Sequence, residues 1–273
     1  MISVLFYICI FIFGIVIGSF LNVCILRIPL KETIVSERSH CMKCGHTLAW
    51  YDLFPLFSYL FLGGKCRYCK TKISAQYPII EFLNGVFAVL TFMFGGFWPH
   101  QIAGIYSMSI FAYSMSVLVL SAALCSCLIV ISVIDWRTFE IPLGTNIFIL
   151  VLGVLRLIGN IAVYGFEGDW LEYVIGFFVV SIPLAVIFYA SKGRAMGGGD
   201  VKLMAVAGLF LGWKLALVAL IAGCLYGSVI HIIRMKVSGQ GKQLAMGPYL
   251  SAGIVTAMWF GQTIIEWYSG FFS

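Results

Sequence analysis

The residues of this chain that could do chemistry are two aspartates and four cysteines. Asp135 lies in "VISVIDWRTFEIP" (130–142) and Asp200 in "AMGGGDVKLMA" (195–205), each a lone acid at the edge of an apolar run. Ionisable groups among membrane-type helices are expensive and mark a functional site by default. Two carboxylates brought face to face cannot both stay charged, so they share a proton; one can then polarise a peptide carbonyl while the other activates a water. Such a pair titrates as a unit, and the proton belongs to neither member alone. A plainer reading makes Asp200 the N-cap of a helix starting at Val201, a position that favours Asp, but it leaves Asp135 unexplained. Gly197 and Gly199 belong to the glycine run before Asp200. Glycine opens backbone angles closed to other residues and lets a second chain approach closely, so an extended strand could lie along this loop.

The cysteines form "CMKC" (Cys41, Cys44) and "CRYC" (Cys66, Cys69), separated by residues 45–65. Two C-x2-C knuckles at this spacing match a zinc ribbon, in which four thiolates surround Zn2+ and close its coordination, so the metal is structural. Two disulfides are the alternative, disfavoured if the segment faces a reducing compartment. His40 and His46 flank the first knuckle as substitute ligands or, more simply, as surface residues. Cys9, Cys24, Cys125, Cys127 and Cys224 lie in apolar runs and read as packing residues.

These groups must be positioned by membrane helices. The chain has 273 residues, of which 62% are hydrophobic and only 10% charged, with a mean hydropathy of +1.03, whereas a soluble domain carries about a quarter charged residues. Its apolar blocks, 4–26, 79–98, 102–134, 141–163, 171–190, 201–211, 215–235 and 248–267, approach the ~20 residues that cross a bilayer core. The fold class is therefore all-α polytopic membrane protein with about eight transmembrane helices and a cytoplasmic zinc-ribbon-like loop. The third block is either one tilted helix or two, and the sixth is too short to cross unless it includes Asp200 and Lys202. The organisation is a first transmembrane helix (1–26), a zinc-binding loop domain (27–78) and a transmembrane domain holding both aspartates (79–273).

With the N-terminus outside, all of the 17 Lys and Arg residues except Lys214 and Arg156 fall inside or at the inner boundary, as the positive-inside rule requires. The acidic loop 164–172 falls outside. The zinc loop and both aspartates then face the cytoplasm, and the net charge of +6 is a topology signal, not a nucleic-acid footprint. The first block lacks a basic start and an A-x-A-like cleavage site, so it reads as a retained helix. Trp98, Trp213, Trp267 and Tyr268 read as interfacial anchors. Asn22 reads as a helix-to-helix hydrogen bond, Glu140 as a solvated interfacial acid, and Lys202 either as a neighbour acting on Asp200 or as one more inside cation.

"GSFLNVCILRIP" (18–29), the two C-x2-C pairs, "ISAQYPIIEFLNG" (73–85), "IDWRTFEIP" (134–142), "MGGGDVKLMAVAGLFLG" (196–212) and "MGPYLSAG" (246–253) together resemble the type IV prepilin leader peptidases, membrane aspartic peptidases of the GxGD kind. The resemblance runs over essentially the whole chain. It implies an inner-membrane enzyme that removes the leader of prepilins or pseudopilins at the cytoplasmic face after a glycine. It also implies N-methylation of the new N-terminal residue with S-adenosylmethionine. Carried over, the catalytic pair is Asp135 and Asp200, the motif glycines are Gly197 and Gly199, and the zinc ligands are Cys41, Cys44, Cys66 and Cys69. The intact cysteine island resembles members with both activities more than the shorter peptidase-only relatives. Leu143 departs from the family, many members of which carry an acid after the proline that is Pro142 here. No glycine-rich nucleotide turn is present. Glu32, Glu37 and Glu81 are carboxylates that could serve the methyl transfer, but each reads equally well as a loop charge or a helix-start acid, and the cofactor ligands stay unassigned.

Two other classes compete with a peptidase, alone or with a methyltransferase. A cation transporter would also use paired membrane acids, but at the midplane and not at a boundary. A membrane anchor presenting a zinc ribbon would leave both aspartates idle.

Overall fold

The computed structural model describes residues 2–35, 38–95, 108–194, 196–238 and 244–271. Glu37, Trp98, Lys242 and the start of the third apolar block, 102–107, lie outside them. Each apolar block is mainly helical in the residues described. The helices are α1 (Ile2–Leu30), α2 (Phe57–Phe61), α3 (Gln76–Phe94), α4 (Met108–Thr138), α5 (Leu143–Tyr164), α6 (Trp170–Val179), α7 (Ser181–Ala190), α8 (Gly198–Leu211), α9 (Trp213–Ser238) and α10 (Gly247–Ser269).

Among the described residues, six stretches are long and apolar enough to cross a membrane: Val4–Leu30, Gln76–Phe94, Met108–Thr138, Leu143–Glu167, Trp170–Ala190 and Trp213–Lys236. The chain is a multi-pass membrane protein, although eight blocks were expected to span. The sixth block is α8, which does contain Asp200 and Lys202, but its 14 residues rise only about 21 Å at 1.5 Å each, less than the ~30 Å hydrocarbon core. The eighth is α10, whose 23 residues include enough Gly, Ser, Thr and Gln to dilute its hydropathy. The third block is one unbroken helix from Met108 to Thr138. The fifth is divided at Val180, because Pro183 has no N–H to offer the Val179 carbonyl and its ring crowds that oxygen.

The chain divides into two compact units, Met1–Phe92 and Met93–Ser273. In the first, α1 and α3 meet along small residues. A β-carbon on Gly14 would come 2.7 Å from the Cα of Gly85, and one on Gly18 equally close to the Cα of Glu81. This is the small-xxx-small contact by which helices approach closely where no water drives them together. Side-chain amides then join the pair: Asn84 Nδ2 donates to the Gly14 carbonyl at 2.7 Å, and Asn22 Nδ2 donates to the Gly18 and Tyr77 carbonyls at 3.3 and 3.2 Å. Asn22 is thus the interhelical hydrogen bond expected of it.

In the second unit α8 is the central element. It packs against α5, α6, α7, α9 and α10, and every residue from Leu203 to Leu211 is buried. Phe210, Leu203, Met204 and Ala207 are fully enclosed. A helix wrapped by five others need not be long enough to span, because protein and not lipid satisfies its surroundings.

Candidate active site

The last turn of α4 and the first turn of α8 bring the two aspartates together. Asp135 lies three residues before the end of α4 and is 4% exposed; Asp200 is the third residue of α8 and 8% exposed. Both line one pocket of about 270 Å³, together with Gly197, Gly198, Gly199 and Asn146. Each carboxylate is held by a backbone N–H: Gly247, at the start of α10, donates to Asp135 Oδ2 at 2.8 Å, and Gly197 donates to Asp200 Oδ2 at 3.3 Å. Both acids sit at helix ends, not in mid-helix, unlike a transport site at the membrane midplane.

The local geometry corrects the plainer reading of Asp200. The helix begins at Gly198, with Gly197 as its N-cap at φ −74°, ψ 142°. Asp200 is therefore the third helical residue, and its carboxylate turns back to the N–H of the cap, the half of a capping box that needs no side chain at the cap itself. The glycines also differ from expectation. None of the three has a positive φ, so backbone freedom does not explain them; space does. A β-carbon at 197 would sit 3.0 Å from Asp200 Oδ2, and one at 199 would sit 3.0 Å from Ile141 Cβ, whereas one at 198 would make an ordinary 3.4 Å contact with Phe188.

Gly247 is a site residue that sequence reasoning did not single out. A β-carbon there would fall 2.7 Å from Asp135 Oδ2 and 3.0 Å from its Cβ, so only glycine lets α10 offer its N–H to this carboxylate. The quoted "MGPYLSAG" contained the signal without showing its purpose. Glu140 and Lys202, both exposed, also line the pocket. At this end of the unit the guanidinium of Arg234 lies 5.2 Å from the Trp136 ring. At the other end Lys214 pairs with Glu172 at 2.7 Å.

The four cysteines meet in the first unit. Their sulfurs all lie within 4.8 Å of one another, and Cys41 Sγ is 3.8 Å from Cys69 Sγ. A tetrahedron with Zn–S bonds of about 2.3 Å has S–S edges of about 3.8 Å, so the cluster fits that ion. Each knuckle is closed the same way. Cys41 N–H donates to His46 O and Gly45 N–H to Cys41 O, at 2.9 and 2.8 Å; Cys66 N–H donates to Thr71 O and Lys70 N–H to Cys66 O, at 2.9 and 3.0 Å. Antiparallel bridges His40–Thr47 and Lys65–Lys72 flank them. The tight turn needs a left-handed residue, supplied by Gly45 at φ 69° and Lys70 at φ 58°.

The side chain and backbone of Thr71 lower the Cys69 thiol to about 6. The backbone of His46 favours the Cys44 thiolate, but desolvation and the neighbouring Cys41 and Cys69 push it up to about 11. Four sulfurs this close cannot all ionise without a cation between them, and a zinc ion would supply that charge. Neither histidine joins the cluster: His40 Nδ1 lies 3.3 Å from the Arg38 carbonyl, and the His46 ring stacks on Tyr68 with centroids 3.6 Å apart.

Asp52 joins the segment between the knuckles to the second one. It accepts from Arg67 Nε at 2.7 Å, Tyr68 hydroxyl at 3.1 Å and Ala49 N–H at 3.2 Å. Burial alone would raise its carboxyl, but these three donors hold it below the usual carboxylate range. Further along, Leu56 is held at φ 62°, ψ −53°, in a three-residue turn closed by Phe57 N–H to Pro55 O at 2.7 Å. That conformation is strained for a branched residue. Leu56 N–H donates to Glu81 Oε2 at 2.8 Å, which ties the loop to α3.

Two family models match the chain. The Bacterial Peptidase A24 N-terminal domain covers residues 12–94, and the Type IV leader peptidase family covers residues 122–232. Among curated proteins, the chain is 33% identical over 238 residues to the "Prepilin leader peptidase/N-methyltransferase" of Myxococcus xanthus, covering 86% of this chain but 65% of that protein. It is 33% identical over 264 residues to the protein of the same name in Bacillus subtilis, covering 94% of this chain and 96% of that one. The protein of that name in Aeromonas salmonicida is 28% identical over 297 residues, covering 97% and 94%. No solved structure matches.

Proposed function

This chain belongs to the type IV leader peptidase family, and we propose that Asp135 and Asp200 are its catalytic carboxylates. As in its relatives, the function is prepilin leader cleavage and N-methylation. The observation that carries the assignment of the site is the shared pocket: two buried acids, distant in sequence, line one cavity at the ends of their helices. In the proposed reaction a water between the carboxylates gives its proton to the charged member as its oxygen bonds to the scissile carbonyl carbon. The protonated member gives its proton to the carbonyl oxygen. The tetrahedral intermediate then collapses, the C–N bond breaks, and the leaving nitrogen takes a proton from the dyad.

The substrate is a prepilin or pseudopilin cut after a glycine, and the face is cytoplasmic, with the protein in the inner membrane and its N-terminus outside. Support for that orientation comes from the bases at the pocket end, Arg137, Lys202 and Arg234, and from Glu167, Asp169 and Glu172 at the opposite end. Functionally we divide the chain into a first helix (1–26), a zinc-binding loop (27–78) and the peptidase domain (79–273). Cys41, Cys44, Cys66 and Cys69 would hold zinc in a structural role. S-adenosylmethionine supplies the methyl group when bound. No residue is assigned to it, and the buried acid Glu81 is already engaged by the Leu56 N–H.

Mass analysis of prepilin incubated with the purified protein tests the reading. The mature fragment is expected after incubation, heavier by one methyl when S-adenosylmethionine is added. An intact substrate after prolonged incubation sinks the peptidase assignment, and a persistently unmethylated product sinks the second activity.

The pocket's sterics give a graded prediction. Gly198→Ala should keep cleavage within about threefold of wild type, since its methyl makes only an ordinary contact. Gly197→Ala and Gly199→Ala should lower it by roughly tenfold or more, because an ångström of displacement at a reacting group is enough for such losses. Gly247→Ala should be worse still. Initial cleavage rates for the four variants check the order, and equal rates at 197 and 198 would contradict the steric account.

A further inference from the structure

Asn146 lines the same pocket as the aspartates. It is 4% exposed, and neither its Oδ1 nor its Nδ2 has a hydrogen-bond partner. Buried side-chain amides in folded proteins nearly always find partners, and an idle one weakens the fold that carries it. The next residue shows that local satisfaction is available on this turn: the Thr145 hydroxyl donates to the Pro142 carbonyl at 2.7 Å. Asn146 thus carries an unpartnered donor and an unpartnered acceptor, side by side and closed to solvent, at the wall of a reaction pocket.

The chemistry of that pair selects its ligand. A carboxamide has an N–H and a C=O in one plane, and it matches a peptide unit by two antiparallel hydrogen bonds. An extended chain offers such N–H and C=O groups along its edge. The pocket has other marks of a built site. Phe139, which also lines it, directly follows α4 at φ 56°, a left-handed position where glycine is usual, so an aromatic ring stands at the pocket despite the backbone strain.

We propose that Asn146 is a substrate-binding residue whose carboxamide pairs with the backbone N–H and C=O of the leader peptide beside the scissile bond. The pairing sets the register of the chain against Asp135 and Asp200 whatever side chains flank the cut. This rests on the reading of the two aspartates as the peptidase centre.

The test uses purified full-length protein and peptides spanning the prepilin cleavage site, in which each backbone amide near the cut is replaced in turn by an ester. Asn146→Leu keeps the side chain's size and removes its polarity. The variant is expected to retain or raise its thermal midpoint and to lose roughly 10- to 100-fold in kcat/KM, mostly through KM. One ester peptide should be cleaved about tenfold less efficiently than its amide parent by wild type, and Asn146→Leu should no longer distinguish the two. That loss of discrimination separates substrate contact from a merely structural amide, which would lower both peptides equally. Unchanged kcat/KM in Asn146→Leu, or discrimination that persists, overturns the inference and leaves the dyad standing. If Asn146→Leu fails to fold, Asn146→Ala is put through the same pair of peptides under the same criteria. Wild-type protein that does no better than Asp200→Asn overturns the dyad, and this inference with it.

Discussion

Asp135→Asn and Asp200→Asn proteins are each expected to fold as wild type and to cleave prepilin at least about 1,000-fold more slowly. The folding half of that expectation comes from the hydrogen bonds. Asp135 accepts the Gly247 N–H and Asp200 the Gly197 N–H, and an asparagine Oδ1 can accept either. What the substitution removes is the ability to take or give a proton, and a dyad with one amide can neither share a proton nor activate its water. The two losses should not add. Members of one catalytic unit fail together, so the double variant should be about as inactive as either single one. Single-turnover cleavage with a melting curve on the same sample checks all three statements. A variant that keeps its melting point and cleaves within tenfold of wild type would remove that aspartate from the mechanism.

The second large effect is on folding. Cys41→Ser with Cys66→Ser should abolish zinc binding and unfold the loop around the knuckles, because little else holds it. Most side chains between Leu30 and Ser74 are exposed, and Cys66 is the buried cysteine at its centre. A zinc ion held by the four thiolates would be the core of this segment, and zinc-ligand free energies of roughly 10 kcal/mol or more are folding free energies in small modules of this kind. Elemental analysis should fall from about one zinc per chain to background, and limited proteolysis should open residues within 38–73. The transmembrane unit from Met108 onward should survive. Unchanged zinc content would refute the site. Acid should act in the same direction: Asp52 has its folded-state carboxyl depressed, so the stability it lends is present at neutral pH and is lost as pH falls through that lowered value. Protonation of the thiolates would release a bound zinc over the same descent.

Much of this was legible in the sequence, and for identifiable reasons. Asp135 and Asp200 stood out because acids are rare in apolar runs, and the cysteines because C-x2-C spacing is a ligand geometry written in one dimension. Helix positions followed from the bilayer's thickness. The division at Val180 was not anticipated, although Pro183 was visible, because neighbouring helices often tolerate proline. The α8 helix gave no sign that it is the central buried element, since apolarity alone does not separate lipid from protein as a neighbour. Gly197 and Gly199 were noticed for two properties, freedom in φ and the close approach that a missing β-carbon allows, and the structure uses only the second. Gly247 and Asn146 escaped for a shared reason. One glycine or one asparagine is unremarkable anywhere in such a chain, and each matters only through a contact with Asp135 or a pocket wall that the fold alone creates.

The bond from Leu56 N–H to Glu81 reaches beyond this molecule. Glu81 is 6% exposed in a helix of membrane-spanning character, and its acidity is tolerable because the loop answers it with a backbone donor. A relative that dispensed with the cysteine island would strand that acid. The island and position 81 should therefore be inherited together: chains that keep both cysteine knuckles should keep an acceptor at 81, and chains that lost them should show an apolar or small residue there. Covariation of this kind follows from contact, and it can be read from homologous sequences without touching the enzyme.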